Sequence, residues 1–347
     1  MNLKWISITT AVLLLLAVAA VWMSSLGGSK AQLGQEGQPI MEGVTLSDVA
    51  SIALRSKAHQ TTLEASPQGW LVVEMQRFPA DQQKVTNLLF DLREEELGYR
   101  VSDRPEKLAE LGLLMPGEPD AGEESGTELV LRDASGKQLF RLVEGKTRRG
   151  AGASVGGRYV RVGNDDAAYL VANAVNLLAD PETWLDVRLL SVEPQQIRAL
   201  HVRASDGKGI TIDRADDAAE WRVDGAPGAV INQDTLDAMI RKLGQLEFFT
   251  LAAKDAKPSE LGRNKLTTIV VELFNGIAYT VQIGETKVDD ENNFISASAT
   301  LDAGVTDEEL RGTVERFNQR FEGRVFGMYD FEATPLLKRR QDFLASR

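Results

Sequence analysis

The 347-residue sequence contains no cysteine. That absence excludes disulfide staples, acylation of a lipoprotein cysteine and thiolate-bound zinc. Histidine is nearly missing too, with only His59 and His201. Two distant imidazoles offer no zinc-ligand spacing, and no metal or cofactor is expected. Positive charge is in deficit: 39 Lys and Arg stand against 51 Asp and Glu, a net charge of −12. Nucleic-acid binding draws on clustered Lys and Arg, so no nucleic-acid partner is expected. Proline is sparse at 11 residues, while 43% of the chain is hydrophobic. That combination excludes a collagen-like fibre and a disordered tail.

Long apolar runs are also scarce, and the single exception is informative. Trp5 to Met23 reads WISITTAVLLLLAVAAVWM, without one charged residue. As a helix it would span about 28 Å, near the thickness of a bilayer's hydrocarbon core. Trp5 and Trp22 stand at its ends, where aromatic rings favour the membrane interface. Lys4 precedes it, which favours a cytoplasmic N-terminus. The run is longer than the core of a cleaved signal peptide, and Val21-Trp22-Met23 interrupts any small-x-small cleavage site. The expectation is a tip at residues 1–4, a single-pass transmembrane anchor at 5–23 and a flexible Gly/Ser/Gln-rich linker at 24–43. Residues 1–30 carry only Lys4 and Lys30, so the remainder, expected in the bacterial periplasm, carries −14.

From Val44 onward the chain repeats itself. Val49, Ile52, Leu54 and Arg55 match Ile197, Leu200, Val202 and Arg203. Trp70 matches Trp221, and Val85, Leu88, Leu89 and Leu92 match Leu236, Met239, Ile240 and Leu243. Glu110-Leu111-Gly112 matches Glu260-Leu261-Gly262. Further on, Tyr159 matches Phe294, and Leu170, Ala174 and Leu177 match Leu310, Val314 and Phe317. The preserved order predicts two tandem α+β lobes with mainly antiparallel sheets, 44–190 and 191–347.

Each lobe opens with three extended segments: 49–56, 60–64 and 70–76, or 197–204, 209–213 and 220–223. Asp81 then caps a helix over 82–96, and Asn232 one over 233–246. The i, i+3, i+4, i+7 spacing gives each a buried stripe. Glu94, Glu95 and Glu96 sit at the anion-unfavourable end of the first helix, which is expected to fray or face water. Short helices are predicted at Pro105–Leu111 and Pro258–Leu261, each stopped by a glycine. Hairpins follow at 127–144 and 267–283, strands at 157–162 and 293–298, and last helices at 166–179 and 306–321. Trp70 and Trp221 read as core anchors.

The Trp strand leading into a capped helix, the ELG element and the segment Trp184-Leu185-Asp186-Val187-Arg188-Leu189-Leu190 resemble the domain of unknown function 4340 family. Met328-Tyr329-Asp330 follows that closing segment only loosely. Members of this family have a membrane anchor followed by repeated α+β units. They are often encoded beside ABC-transporter components of the gliding-motility type. The resemblance therefore implies an accessory envelope protein with such components as partners, and it implies no catalytic residues.

Candidate chemistry is thin. There is no Gly-x-Ser-x-Gly elbow. The glycine-rich stretch 150–157 lacks the Gly-Lys-Ser/Thr ending of a phosphate loop. The acidic insertion at 115–124 lacks the calcium-loop spacing. The contrast that remains is between two hairpin tips. Lys146, Arg148 and Arg149 make the first basic, and Asp289, Asp290 and Glu291 make the second acidic. Opposite charge makes these six candidate contacts, to a partner or to each other's half. The function expected is a non-enzymatic scaffold, anchored through 5–23 and serving an ABC-type or gliding-motility-like envelope system. The alternative is a small-molecule or glycan-binding protein using a cleft between the lobes, and a third reading is a hydrolase built on a carboxylate pair.

Overall fold

The computed structural model describes residues 37–118, 121, 125–149, 155–163, 166–173, 175–289 and 291–345. The segment 5–23 lies outside them; among the described residues no helix is long and apolar enough to cross a membrane.

The first half contains β1 (Ser51–Arg55), β2 (Gln60–Ser66), β3 (Gly69–Val72), β4 (Phe78–Pro79), α1 (Gln82–Glu94), β5 (Arg100–Ser102), α2 (Pro105–Leu111), β6 (Thr127–Arg132), β7 (Gln138–Arg149), β8 (Val155–Val162) and β9 (Ala168–Val171). A connecting strand, β10 (Arg188–Leu190), follows. The second half contains β11 (Ile197–Arg203), β12 (Gly209–Asp213), β13 (Arg222–Val223), α3 (Gln233–Gly244), β14 (Leu246–Glu247), β15 (Thr250–Leu251), β16 (Leu266–Leu273), β17 (Ile277–Gly284), β18 (Asn292–Leu301), α4 (Glu308–Phe321) and β19 (Phe326–Tyr329).

The first sheet runs β4-β3-β2-β1-β6-β7-β8-β9-β5 and the second β13-β12-β11-β16-β17-β18-β19-β15. From β3 and β13 onward the two orders are the same. Neighbouring strands pair antiparallel, as in β1 with β6 and β11 with β16. The fold is thus α+β with mainly antiparallel sheets. Period-2 burial explains why these segments are strands: β16 alternates Thr267, Ile269, Val271 and Leu273 inward. The predicted caps are in place. The Asp81 carboxylate accepts the N–H groups of Gln83 and Lys84 at 2.9 and 3.2 Å, and Asn232 accepts that of Thr235. Both helix stripes are buried.

Several expectations are corrected. The helix expected at 166–179 is replaced by strand β9, whose four residues are all buried. A short apolar run is compatible with either state, and β8 needs a hydrogen-bonding partner on its outer edge. β9 occupies the place of β19, so Leu170 corresponds to the second half's last strand, and among the described residues α4 has no counterpart in the first half. The segment Pro258–Leu261 forms turns. The third strand stops at Val72, because Gln76 and Arg77 turn the chain at φ 57° and 54°. Trp70 and Trp221 lie only half-buried at the margin of the core. Glu95 is buried where water was expected: its backbone and that of Leu97 bond residues 37–40. Ile40 and Met41 are buried as well, so the linker expected to reach residue 43 is packed chain from residue 37.

One core runs through both halves. At the junction, Phe78 of β4 meets Phe248, Phe321 and Phe326 with ring centroids 5.5, 6.1 and 5.7 Å away. Burying such rings is the main stabilising contribution at this seam. Arg320 lies over Phe78 at 5.2 Å and pairs with Asp186 at 3.0 Å. β10 pairs with β14, and Gln76 donates to the Ala252 carbonyl at 2.8 Å. The connector is therefore stitched to the second half rather than hinged.

Candidate functional site

The six residues singled out by charge do not form one patch. Lys146 and Arg148 fold back onto the first half. The Lys146 ammonium donates to the Glu110 carbonyl at 3.1 Å, and the Arg148 guanidinium lies over the Tyr99 ring and donates to its hydroxyl. Arg149 is the last residue of β7. Asp290 lies outside the described residues. Asp289, in the left-handed region at φ 53°, and Glu291 are exposed. Their tip abuts β19: Asn292 pairs with Tyr329, and the Asp330 N–H donates to the Glu291 carbonyl at 2.8 Å.

That contact leads to a feature the charge pattern did not reveal. Phe249 stacks on Tyr329 at 4.5 Å and 17°, and Tyr329 stacks on Phe331 at 5.7 Å and 10°. Tyr329 and Phe331 are 46% and 69% exposed, unusual for large rings. The backbone explains the ladder. In β19, Phe326 and Met328 point into the core, so alternation turns Tyr329 outward. Between them, Gly327 accepts the Phe249 N–H at 2.9 Å. A Cβ on Gly327 would stand 2.6 Å from the Thr250 side chain and 3.3 Å from the Phe249 ring. Glycine thus lets the Phe249–Thr250 segment lie against the strand, the tightest approach being that of Thr250.

The ladder walls a cleft of ≈ 450 Å³ at the rim of the junction between the halves. Glu182 and Glu247 also line it; Glu247 stands opposite Arg188 in the β10–β14 pair and interacts with the charges of Arg188 and Lys242, whereas Glu182 has no ion-pair partner among the described residues. Two further carboxylates nearby are neutralised: Glu332 by Lys242, and Asp330 by Lys287 at 2.7 Å. Burial pushes the Lys242 ammonium down from its ordinary value. The Asp180 carboxylate caps the short helical turn Pro181–Trp184 by accepting the Glu182 N–H at 3.0 Å, fixing that wall.

Other polar groups have structural partners. Glu128 pairs with Arg141 at 2.6 Å, and Glu144 with Arg158 at 2.8 Å. Glu144 stands opposite Thr127, so Glu128, one residue on, projects from the other face of the sheet. These two buried carboxylates do not form the facing pair a glycosidase-type hydrolase would need. His201 lies in β11 beside Glu272 and Thr211, 3.0 and 3.1 Å away, as a half-exposed strand residue. Among the described residues no group of three His, Asp or Glu side chains is placed to hold a metal ion.

The aromatic ladder was missed because stacked rings are a tertiary outcome. The available signal was the density of aromatics at Phe248, Phe249, Phe326, Tyr329 and Phe331. No curated protein and no solved structure matches the chain. The family described as Domain of unknown function (DUF4340) matches residues 70–265, from the Trp70 strand to the start of β16. That is more than half of the sequence, and the chain belongs to this family.

Proposed function

We propose that this protein is a non-enzymatic accessory subunit of the bacterial envelope. Residues 5–23 anchor it in the inner membrane, with residues 1–4 cytoplasmic and the body periplasmic. The body is a rigid scaffold presented to membrane or envelope partners, namely components of an ABC-type, gliding-motility-like system. The observation that carries this reading is the single core shared by the halves, with Phe78 set among Phe248, Phe321 and Phe326. A scaffold that positions a partner benefits from such a seam, because rigidity preserves the geometry of the presented face. Tethering to the bilayer raises the effective concentration near a membrane partner. Crosslinking in cells followed by purification in mild detergent tests the reading. Co-recovery of an envelope transport component is expected, and recovery of the chain without any envelope protein contradicts it.

A second reading is extracytoplasmic binding of a small molecule or glycan. The cleft of ≈ 450 Å³ at the junction favours it. The filled aromatic seam beneath opposes it, since a deep cleft between mobile lobes is replaced by packed rings.

A further inference from the structure

The ladder Phe249–Tyr329–Phe331 and its carboxylates have a specific complement. We propose that this cleft is a docking site for an arginine-bearing segment of a partner protein. The proposal rests on the scaffold reading only for the existence of such a partner.

Three observations select this occupant. First, the rings are nearly parallel, at 17° and 10°, and Phe331 at the end of the ladder is 69% exposed. A planar guanidinium stacks on such a face, attracted by the ring's negative π-cloud. Second, Glu182 lines the same cleft without an ion-pair partner among the described residues, Glu247 beside it stands opposite Arg188, and the acidic tip carrying Asp289 and Glu291 joins Tyr329 through β18. A carboxylate takes a guanidinium in a two-pronged hydrogen bond, whereas a neutral sugar leaves these charges uncompensated. Third, the chain's own guanidiniums occupy other rings: Arg148 lies over Tyr99, Arg214 over Trp221 and Arg320 over Phe78. The same chemistry recurs inside this fold, where Arg320 lies over Phe78 and also pairs with Asp186. The cleft offers both halves of that arrangement, ring and carboxylate, to a cation from outside.

The test uses the full chain in mild detergent and a fluorescein-labelled pentapeptide alternating Gly and Arg. Companion peptides carry citrulline, which keeps the shape and removes the charge. Binding is read by anisotropy at low salt. The arginine peptide is expected to bind and the citrulline peptide not. Phe331→Ala, or Glu182→Gln with Glu247→Gln, is expected to weaken binding about tenfold. Phe90→Ala, which removes an exposed ring on α1, is expected to leave it unchanged. Phe331 is exposed, so thermal melts of that variant are expected to match the wild type and exclude misfolding as the cause. Equal binding of the citrulline peptide, insensitivity to Phe331→Ala, or binding of a neutral chito-oligosaccharide in place of the arginine peptide overturns the proposal. Cellular crosslinking separates the two claims. An envelope partner captured by the wild type and lost from Phe331→Ala supports the site. A partner captured equally by both overturns the site and leaves the scaffold reading standing. Peptide binding without any captured envelope protein supports the site and contradicts the scaffold reading.

Discussion

Asn318 closes a gap that the sheet leaves open. Beyond Ile295, strand β18 no longer has β19 beside it, and the backbone of Ala299 faces α4. The Asn318 side-chain carbonyl accepts the Ala299 N–H at 2.7 Å, and its amide donates to the Ala299 carbonyl at 2.8 Å. One side chain thus imitates a neighbouring strand. Asn318→Leu keeps the bulk and strands two backbone groups, so it is expected to cost about 1–3 kcal/mol in urea denaturation. An unchanged midpoint would contradict this role. Glu144 makes a pH prediction. Burial raises its carboxyl above the ordinary value of 4.5, against the opposing pull of Arg158 and the Leu177 N–H. A raised folded-state value means that the native state binds the proton more tightly. Its contribution to stability is present below the ordinary value and is lost as pH rises through the raised one. Relative to Glu144→Gln, the wild type is expected to lose melting temperature between pH 4 and pH 7. A constant or opposite difference contradicts the assignment.

At the scale of elements, the sequence was legible where local rules and tertiary demand agree. Asp81 and Asn232 cap α1 and α3 as read, because capping is decided within a single turn of chain. The apolar stripes are buried, because a period of 3.6 has one face to hide. Strand β9 was illegible, because Tyr169, Leu170 and Val171 fit a strand or a helix equally, and the unpaired edge of β8 decides between them. The buried Glu95 was illegible for a similar reason: residues 37–40 return to cover the end of α1, a contact no local pattern encodes. The aromatic ladder depends on Gly327, whose role emerges only once Phe249 lies beside it. Gly327→Ala is therefore expected to displace Phe249 from Tyr329 and to cost about 1–3 kcal/mol through overpacking. Its aromatic near-ultraviolet circular dichroism should change while the far-ultraviolet spectrum stays. Unaltered ring signals would contradict the steric account.

At the scale of the whole molecule, the duplicated sheets act as one body because their seam is aromatic and charge-clasped. Burial raises the Asp186 carboxyl, but hydrogen bonds and charge from Arg188 and Arg320 outweigh it and hold the group below its ordinary value. That clasp is kept above the ordinary aspartate range and loosens as pH falls through the depressed value. Phe78 is fully buried at the seam, touching rings from three places in the second half. Phe78→Ala is expected to destabilise by about 3–5 kcal/mol and to split one unfolding transition into two, measured by calorimetry. A single transition of unchanged midpoint would contradict the shared core.

Exposed Tyr329 and Phe331 lie at the seam's rim, with Glu182 lining the same cleft. We propose that this body presents that face to an envelope partner while anchored beside it. In-cell photocrosslinking from position 331, in the full chain, tests this most directly. The account predicts a discrete crosslink to an envelope transport component. The absence of any envelope crosslink from 331, with the protein present in the membrane fraction, would contradict it.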